Sequence, residues 1–415
     1  MSTVMLTPED APNDRSLRIA YVTETYPPEV NGVSMTVARV VEGMRARGHR
    51  VQLIRLRQHA ADTAARTGTC EEVLLRGLPI PRYPDLKMGL PQTGALVKLW
   101  SAHRPDLVHI ATEGPLGWSA LRAARRLGVP VSSDFRTNFH AYAQHYGISL
   151  LKRPVLAYLR YFHSRTVCTM VPTESLRREL AELGFRDLSV VARGVDTVRF
   201  HPAKRSADLR RQWGAGDDDM VVMCVGRLAP EKNLTDLVSA YQAMRRSRPR
   251  TRLVLVGDGP ARQALQAACP EVIFTGSRTG TDLAAHYASA DAFLFPSLTE
   301  TFGNVTPEAM ASGLPVLAYD YAAAAQLIEH GDNGLLAAYG AAHDFIAQAM
   351  RLAADPQHAR RMGVAARKTA ERLAWDGVID QVEALFIQAV RGAERPASPH
   401  FTAGGIPPLR VTPPR

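Results

Sequence analysis

Two carboxylates, Glu300 and Glu308, bracket a stretch with the residue types needed to hold a polyhydroxylated, phosphorylated ligand. Between them lie Phe302, Gly303 and Asn304, then Thr306 and Pro307, which read as an N-cap followed by a first helical residue. Glu308 therefore falls in a first helical turn. Ionised at neutral pH, it can accept both hydroxyl protons of a ribose diol, and Glu300 can do the same for sugar hydroxyls. Gly303 lets the N–H groups at the helix opening approach an anion. Two cations stand earlier in the chain. Arg227 follows an apolar strand-like run, and Lys232 lies in the loop feeding the next helix. One is a planar fork and the other a point charge, and together they can neutralise a diphosphate.

These residues need strands and helices to position them. The apolar run 292–295, closed by Pro296, reads as a buried strand; Gly313 ends the short helix, and 314–318 begins another strand. The same alternation opens the chain: strand 17–23, a Pro/Gly loop, a helix from Ser34 to about Arg47 stopped by Gly48, and strand 51–54. Gly32 sits just before that helix, where it serves either an approaching anion or only the turn. His140 lies beyond the C-terminal end of strand 129–133, where open parallel sheets gather ligands; a lone histidine is also commonly structural. Residues 59–87 read as an irregular insertion. Residues 204–219 read as a charged linker, with Asp217–Asp219 solvated rather than metal-binding. Gly257-Asp258-Gly259-Pro260 lacks the third glycine of a dinucleotide fingerprint, which excludes the NAD reading.

A length of 415 residues points to two domains of class α/β. The expected division is a flexible 1–16, a first Rossmann-like domain over 17–205 completed by the helix 375–392, a second over 206–374, and a Pro-rich disordered tail, 393–415. Four scattered cysteines without a CxxC pair read as reduced core residues of a cytoplasmic protein. Neither a secretory signal nor a spanning segment is evident. The net charge of +10 is uneven: residues 1–205 carry 29 Lys and Arg against 18 Asp and Glu, whereas 206–415 carry 21 against 22. Either an arginine-rich genome or an anionic partner accounts for this asymmetry. Residues 150–165 mix basic and bulky apolar side chains, as in a surface helix on an anionic membrane or a half-buried helix with a basic edge. No aromatic-plus-basic motif supports nucleic-acid binding.

As a set, several segments resemble the retaining glycosyltransferases of family 4, which have the GT-B fold of two Rossmann-like domains facing a cleft. They are 226–233, 257–260, Phe295-Pro296-Ser297, the Glu300-to-Glu308 stretch through Gly313-Leu314-Pro315-Val316, Pro27-Pro28 through Gly32-Val33, and Gly194-Val195-Asp196. The resemblance implies a metal-independent hexosyltransferase without cofactor, taking a nucleotide sugar as co-substrate, GDP-mannose ahead of UDP-glucose. It assigns the donor diphosphate to Arg227 and Lys232, the ribose to Glu308 and the donor sugar to Glu300. Phe302, Gly303 and Asn304 join the donor site, Gly32 the phosphate or acceptor side, and His140 the reacting carbon. The acceptor would be a lipid or saccharide, with the basic first domain on an anionic membrane at its cytoplasmic face. A catalytically silent nucleotide-sugar-binding module is the alternative. One departure stands out: where the family commonly has a glycine pair and a glutamate, this chain has Ala322-Ala323-Ala324-Ala325-Gln326.

Overall fold

The computed structural model describes residues 16–29, 31–59, 61–80, 83–136 and 152–394. His140, most of the expected flexible N-terminus and nearly all of the Pro-rich tail lie outside the described residues.

The first half is built on β1 (Arg18–Val22), β2 (Arg50–Leu56), β3 (Arg66–Thr67), β4 (Cys70–Leu75), a separate hairpin of β5 (Gly77–Ile80) and β6 (Tyr83–Gly89), β7 (Leu107–Ile110), β8 (Val131–Asp134), β9 (Cys168–Val171) and β10 (Leu188–Val190). Its main sheet runs β10-β9-β8-β7-β1-β2-β4-β3 and is parallel except for the β3–β4 pair. The period-two pleat of β1 sorts its side chains between two cores. Ile19 and Tyr21 enter one cluster, whereas Ala20 and Val22 enter another around Trp100. Both faces of the strand are thus covered, which is why 17–23 reads as an unbroken apolar run.

The second half is a parallel sheet ordered β13-β12-β11-β14-β15-β16, from β11 (Met220–Val225), β12 (Thr251–Val256), β13 (Ile273–Gly276), β14 (Ala292–Phe295), β15 (Val316–Tyr319) and β16 (Gly334–Ala337). Its core is one contiguous cluster that already includes Val195, Phe200 and Trp213. The chain crosses between halves near Arg193 and again after Leu373, where the Val195 N–H donates to the Leu373 carbonyl at 2.9 Å. The final helix, Trp375–Glu394, then returns to the first half. Val378, Ile379, Val382 and Phe386 recur at helical spacing and pack among the first-half core residues. Gly43 permits that contact, because a Cβ there would stand 2.2 Å from the Ile379 side chain.

Two expectations need correcting. The described residues of 59–87 are not an irregular loop: β4 pairs in parallel with β2, Ile54 opposite Val73, and the β5–β6 hairpin follows. Residues 204–219 are not a loose linker. A short helix, Ala207–Gln212, carries Arg210 into the interior, where its guanidinium donates to the carbonyls of Ser289, Gly216 and Asp219 and to Asp291. Charge reads as exposure only when nothing inside can pair with it. The segment 152–163 takes the bland form of a half-buried helix: Leu159, Phe162 and His163 are buried and Tyr161 is exposed. All four cysteines are buried and free. Among the described residues no helix is long and apolar enough to cross a membrane.

Candidate active site

β11 and β14 are neighbours at the centre of the second sheet, and both candidate clusters leave their C-terminal ends. After β11, the backbone of 226–228 is pressed against 257–261. Leu228 N–H donates to the Asp258 carbonyl at 2.9 Å, and the Ala261 N–H donates back to Leu228. A Cβ at Gly257 would fall 1.9 Å from the Gly226 carbonyl, and one at Gly259 2.4 Å from that of Leu228. The Gly257-Asp258-Gly259 motif is therefore a backbone-packing device that fixes the loop bearing Arg227.

A turn of 3-10 helix, Pro230–Lys232, follows. Arg227 bonds the buried Glu231, and the Glu231 carbonyl accepts the Leu298 N–H at 3.0 Å, tying this loop to the one after β14. Lys232 bonds Glu300 Oε1, which also accepts the Ser297 hydroxyl at 2.8 Å. The Lys232 ammonium lies 5.4 Å from the centre of the Phe295 ring. Arg227, Lys232 and Glu300 thus form one connected polar rim.

The helix after Glu300 spans Val305–Ala311, with Asn304 as N-cap, so it starts before the expected Thr306 cap. Gly303, at φ +91°, makes the turn that admits this early entry. Pro307 still falls in the first turn, where its missing N–H is not needed. Glu308 sits on that turn, partly buried, with the Tyr287 hydroxyl donating to Oε2 at 3.0 Å. Burial pushes its carboxyl up to about 7, against the opposing pull of Tyr287 and the Arg199 charge, so the full ionisation expected at neutral pH does not hold in the unliganded enzyme. Phe302 is a core side chain, 1% exposed, whose carbonyl accepts the Ala323 N–H at 2.8 Å.

Gly32 is the first residue of the helix Gly32–Ala46, which starts before the expected Ser34 because Asn31 is the cap. Asn31 Oδ1 accepts the N–H groups of Val33 and Ser34 at 3.0 and 2.8 Å. Gly32 faces the second half directly: a Cβ there would lie 3.1 Å from Asn304 Nδ2. The Thr301 hydroxyl also reaches across, donating to the Arg136 carbonyl at 2.8 Å. A recess between the halves is lined by Thr173, Glu179, Glu300, Thr301 and Tyr321.

Sequence reasoning missed a cluster at the strand ends of the first half. His109 lies 3.1 Å from Asp134, which accepts from Arg136 at 2.5 Å, all three nearly solvent-free. Burial alone would raise Asp134, but the Arg136 and His109 charges win and hold it well below the usual carboxylate range. Arg193, just before Gly194, donates to Asn304 Oδ1 at 3.2 Å. Its place in the Arg193-Gly194-Val195-Asp196 run is the signal that could have found it.

Residues 30–199 match the family described as Glycosyltransferase Family 4, and residues 219–355 match Glycosyl transferases group 1. A GDP-mannose-dependent alpha-mannosyltransferase of Mycobacterium tuberculosis is 36% identical over 384 residues, spanning 91% of this chain and 97% of the relative. The chain belongs to the family 4 glycosyltransferases. A second relative from that organism, a GDP-mannose-dependent alpha-(1-6)-phosphatidylinositol monomannoside mannosyltransferase, is 30% identical over 85% of this chain and 93% of its own. Sucrose-phosphate synthase from Thermosynechococcus elongatus superposes with a TM-score of 0.74 at 21% identity, covering 91% of this chain and 100% of that structure. This family 4 glycosyltransferase therefore has the GT-B fold, and it is an enzyme of hexosyl transfer.

Proposed function

We propose that the enzyme moves mannose from GDP-mannose to a lipid or saccharide acceptor, with retention at the anomeric carbon and without a metal. The observation that carries this reading is the rim joining Arg227, Lys232 and Glu300 beside Glu308, on adjacent central strands. The GDP-mannose dependence of the relative that matches nearly the whole chain supports the donor over UDP-glucose, and the phosphatidylinositol mannoside relative supports a lipid acceptor.

In this reading Arg227 and Lys232 turn from Glu231 and Glu300 to the donor diphosphate. Glu308 binds the ribose diol and Glu300 the sugar hydroxyls, with Gly303 and Asn304 beside the phosphates and Phe302 supporting the loop from the core. The bond from the sugar C1 to the diphosphate oxygen breaks, and the acceptor oxygen bonds C1 on the same face. The acceptor proton passes to the departing phosphate. Charge grows on the diphosphate as that bond lengthens, so fixed cations there stabilise the transition state more than the ground state. No side chain is assigned as a covalent nucleophile. His140 is proposed beside the reacting carbon, and the basic first half as the face toward an anionic membrane.

Donor turnover measured across GDP- and UDP-sugars, with and without anionic vesicles and with EDTA, tests the proposal. It predicts turnover of GDP-mannose that survives EDTA and an axial product linkage by NMR. Binding of a nucleotide sugar without any turnover would instead favour a silent binding module, and UDP-glucose turnover alone would overturn the donor.

A further inference from the structure

One charged group at the seam between the halves has no counter-ion directed at it. Arg193 is 5% exposed. Its Nη1 donates to Asn304, yet Nε and Nη2 are buried and have no hydrogen-bond partner among the described residues. The nearby carboxylates are engaged elsewhere: Asp134 with Arg136 and His109, Glu300 with Lys232 and Ser297. Burial foremost, and then the like charge of Arg136, depress the Arg193 guanidinium to about 9. Buried unmet donors on a cation are unfavourable for folding, so their retention calls for a reason outside the unliganded fold.

The geometry narrows what the missing partner is. Nε and Nη2 share one edge of the guanidinium, the edge that meets two oxygens of one anion in a bidentate pair. Nη1 would stand 3.4 Å from a Cβ on Gly32, and the guanidinium carbon lies 5.9 Å from the centre of the Phe302 ring. The guanidinium therefore lies between the opening of the first helix and the loop 302–304, with its unmet Nε–Nη2 edge enclosed at the seam. Resting on the donor reading above, we propose that Arg193 is a third ligand of the donor diphosphate, supplied from the crossing segment so that donor binding engages both halves of the enzyme. Arg227 and Lys232 grip the diphosphate from the second half and Arg193 closes on it from the seam. The Nη1 bond to Asn304 already orients one end of the guanidinium, which lowers the ordering cost when the anion arrives.

The test uses the full-length protein and its Arg193→Gln and Arg193→Lys variants, with GDP, GMP and guanosine as probes. Thermal melting is read with and without each, alongside GDP affinity by calorimetry. Arg193→Gln is expected to melt unliganded at the wild-type temperature or above, because an uncompensated buried charge is gone. Its GDP affinity should fall by about 10- to 100-fold, the scale of a lost charge-assisted pair, with a smaller loss for GMP and none for guanosine. Arg193→Lys should recover part of the loss. A variant that melts lower yet binds GDP as the wild type does would make Arg193 a structural seam residue and overturn the proposal. So would unchanged GDP affinity with a raised KM only for an anionic acceptor. A wild-type protein that binds no nucleoside diphosphate rejects the donor reading itself, whereas failure confined to the Arg193 variants rejects only this inference.

Discussion

The strand-end rims of the two halves face each other and treat charge in opposite ways. On the second, Arg227 bonds Glu231 of its own loop and Lys232 bonds Glu300 of the loop after β14, and all but the buried Glu231 keep some exposure. On the first, Glu24, Glu113, His109, Asp134 and Arg136 are drawn into the fold, with Arg193 buried at the seam. The second rim keeps its charges exchangeable, as a ligand site must. The first holds charges at positions where burial lifts Glu24 and lowers Arg193. Substitutions on the second rim should therefore change turnover more than stability, and those at Glu24, Glu113, His109, Asp134 and Arg136 the reverse, with Arg193 at the seam siding with the second rim.

The largest effect that tests this contrast is expected at Lys232. Lys232→Ala removes a preorganised cation from the proposed leaving group and should lower kcat by about 100- to 1,000-fold, the scale of a lost transition-state donor. The check is steady-state kinetics beside a melting curve. Wild-type turnover in a folded variant would break the assignment. Glu308 comes next: Glu308→Ala should weaken donor binding by about 10- to 100-fold through two lost hydrogen bonds to the ribose diol, seen as a raised KM. Retained donor affinity would remove its role on the ribose.

The placement of Glu308 is legible in the sequence, and the reason is local. The stretch from Ala292 to Tyr319 is a buried strand, a loop with a glycine turn, a short helix and another buried strand, and each boundary is punctuated by Pro or Gly. Only the helix start differs, since Asn304 caps where Thr306 is the expected cap. What escapes a sequence reading depends on partners distant in the chain. β4 has a mixed sequence, Cys70-Glu71-Glu72-Val73-Leu74-Leu75, and is a strand because β2 lies beside it. Arg210 is interior because carbonyls from three separate positions converge on it. Arg193 stands in a recognisable run, yet its burial against Asn304 needs both halves folded.

On the first rim the expected signature is pH-dependent stability. Burial raises Glu24 from 4.5 to about 7, although the N–H groups of Leu116 and Gly89 pull the other way. The folded state thus holds this proton more tightly than the unfolded chain. The Glu24 contribution is fully present below pH 4.5 and is lost as pH rises through 7, by an amount on the order of 2–3 kcal/mol. Glu308, raised in the same direction, adds to the slope. Glu24→Gln should flatten the Glu24 part while keeping an acceptor for the Leu116 N–H, which donates to it at 2.8 Å. Denaturant melts at several pH values measure it, and an unchanged slope would place the strain elsewhere.

The smallest effect concerns the Ala322–Gln326 loop, expected from the resemblance to differ from the family pattern. Ala322 takes φ +53°, a left-handed conformation that glycine adopts freely and alanine does not. The conformation is held because the next N–H, of Ala323, donates to the Phe302 carbonyl at 2.8 Å and so fixes the loop against the Glu300–Glu308 segment. At a position suited to glycine, this chain keeps the turn and carries strain in it. Ala322→Gly should relieve that strain and raise stability by up to about 1 kcal/mol, since the greater freedom of glycine in the unfolded chain offsets part of the gain. Urea unfolding measures the change. A gain with unaltered GDP affinity would show that strain on the second rim is confined to its backbone. A loss would mean that the methyl group, buried with Ala323 and Ala324, packs well enough to outweigh the dihedral. The departure would then be an adaptation of the loop rather than a burden on it.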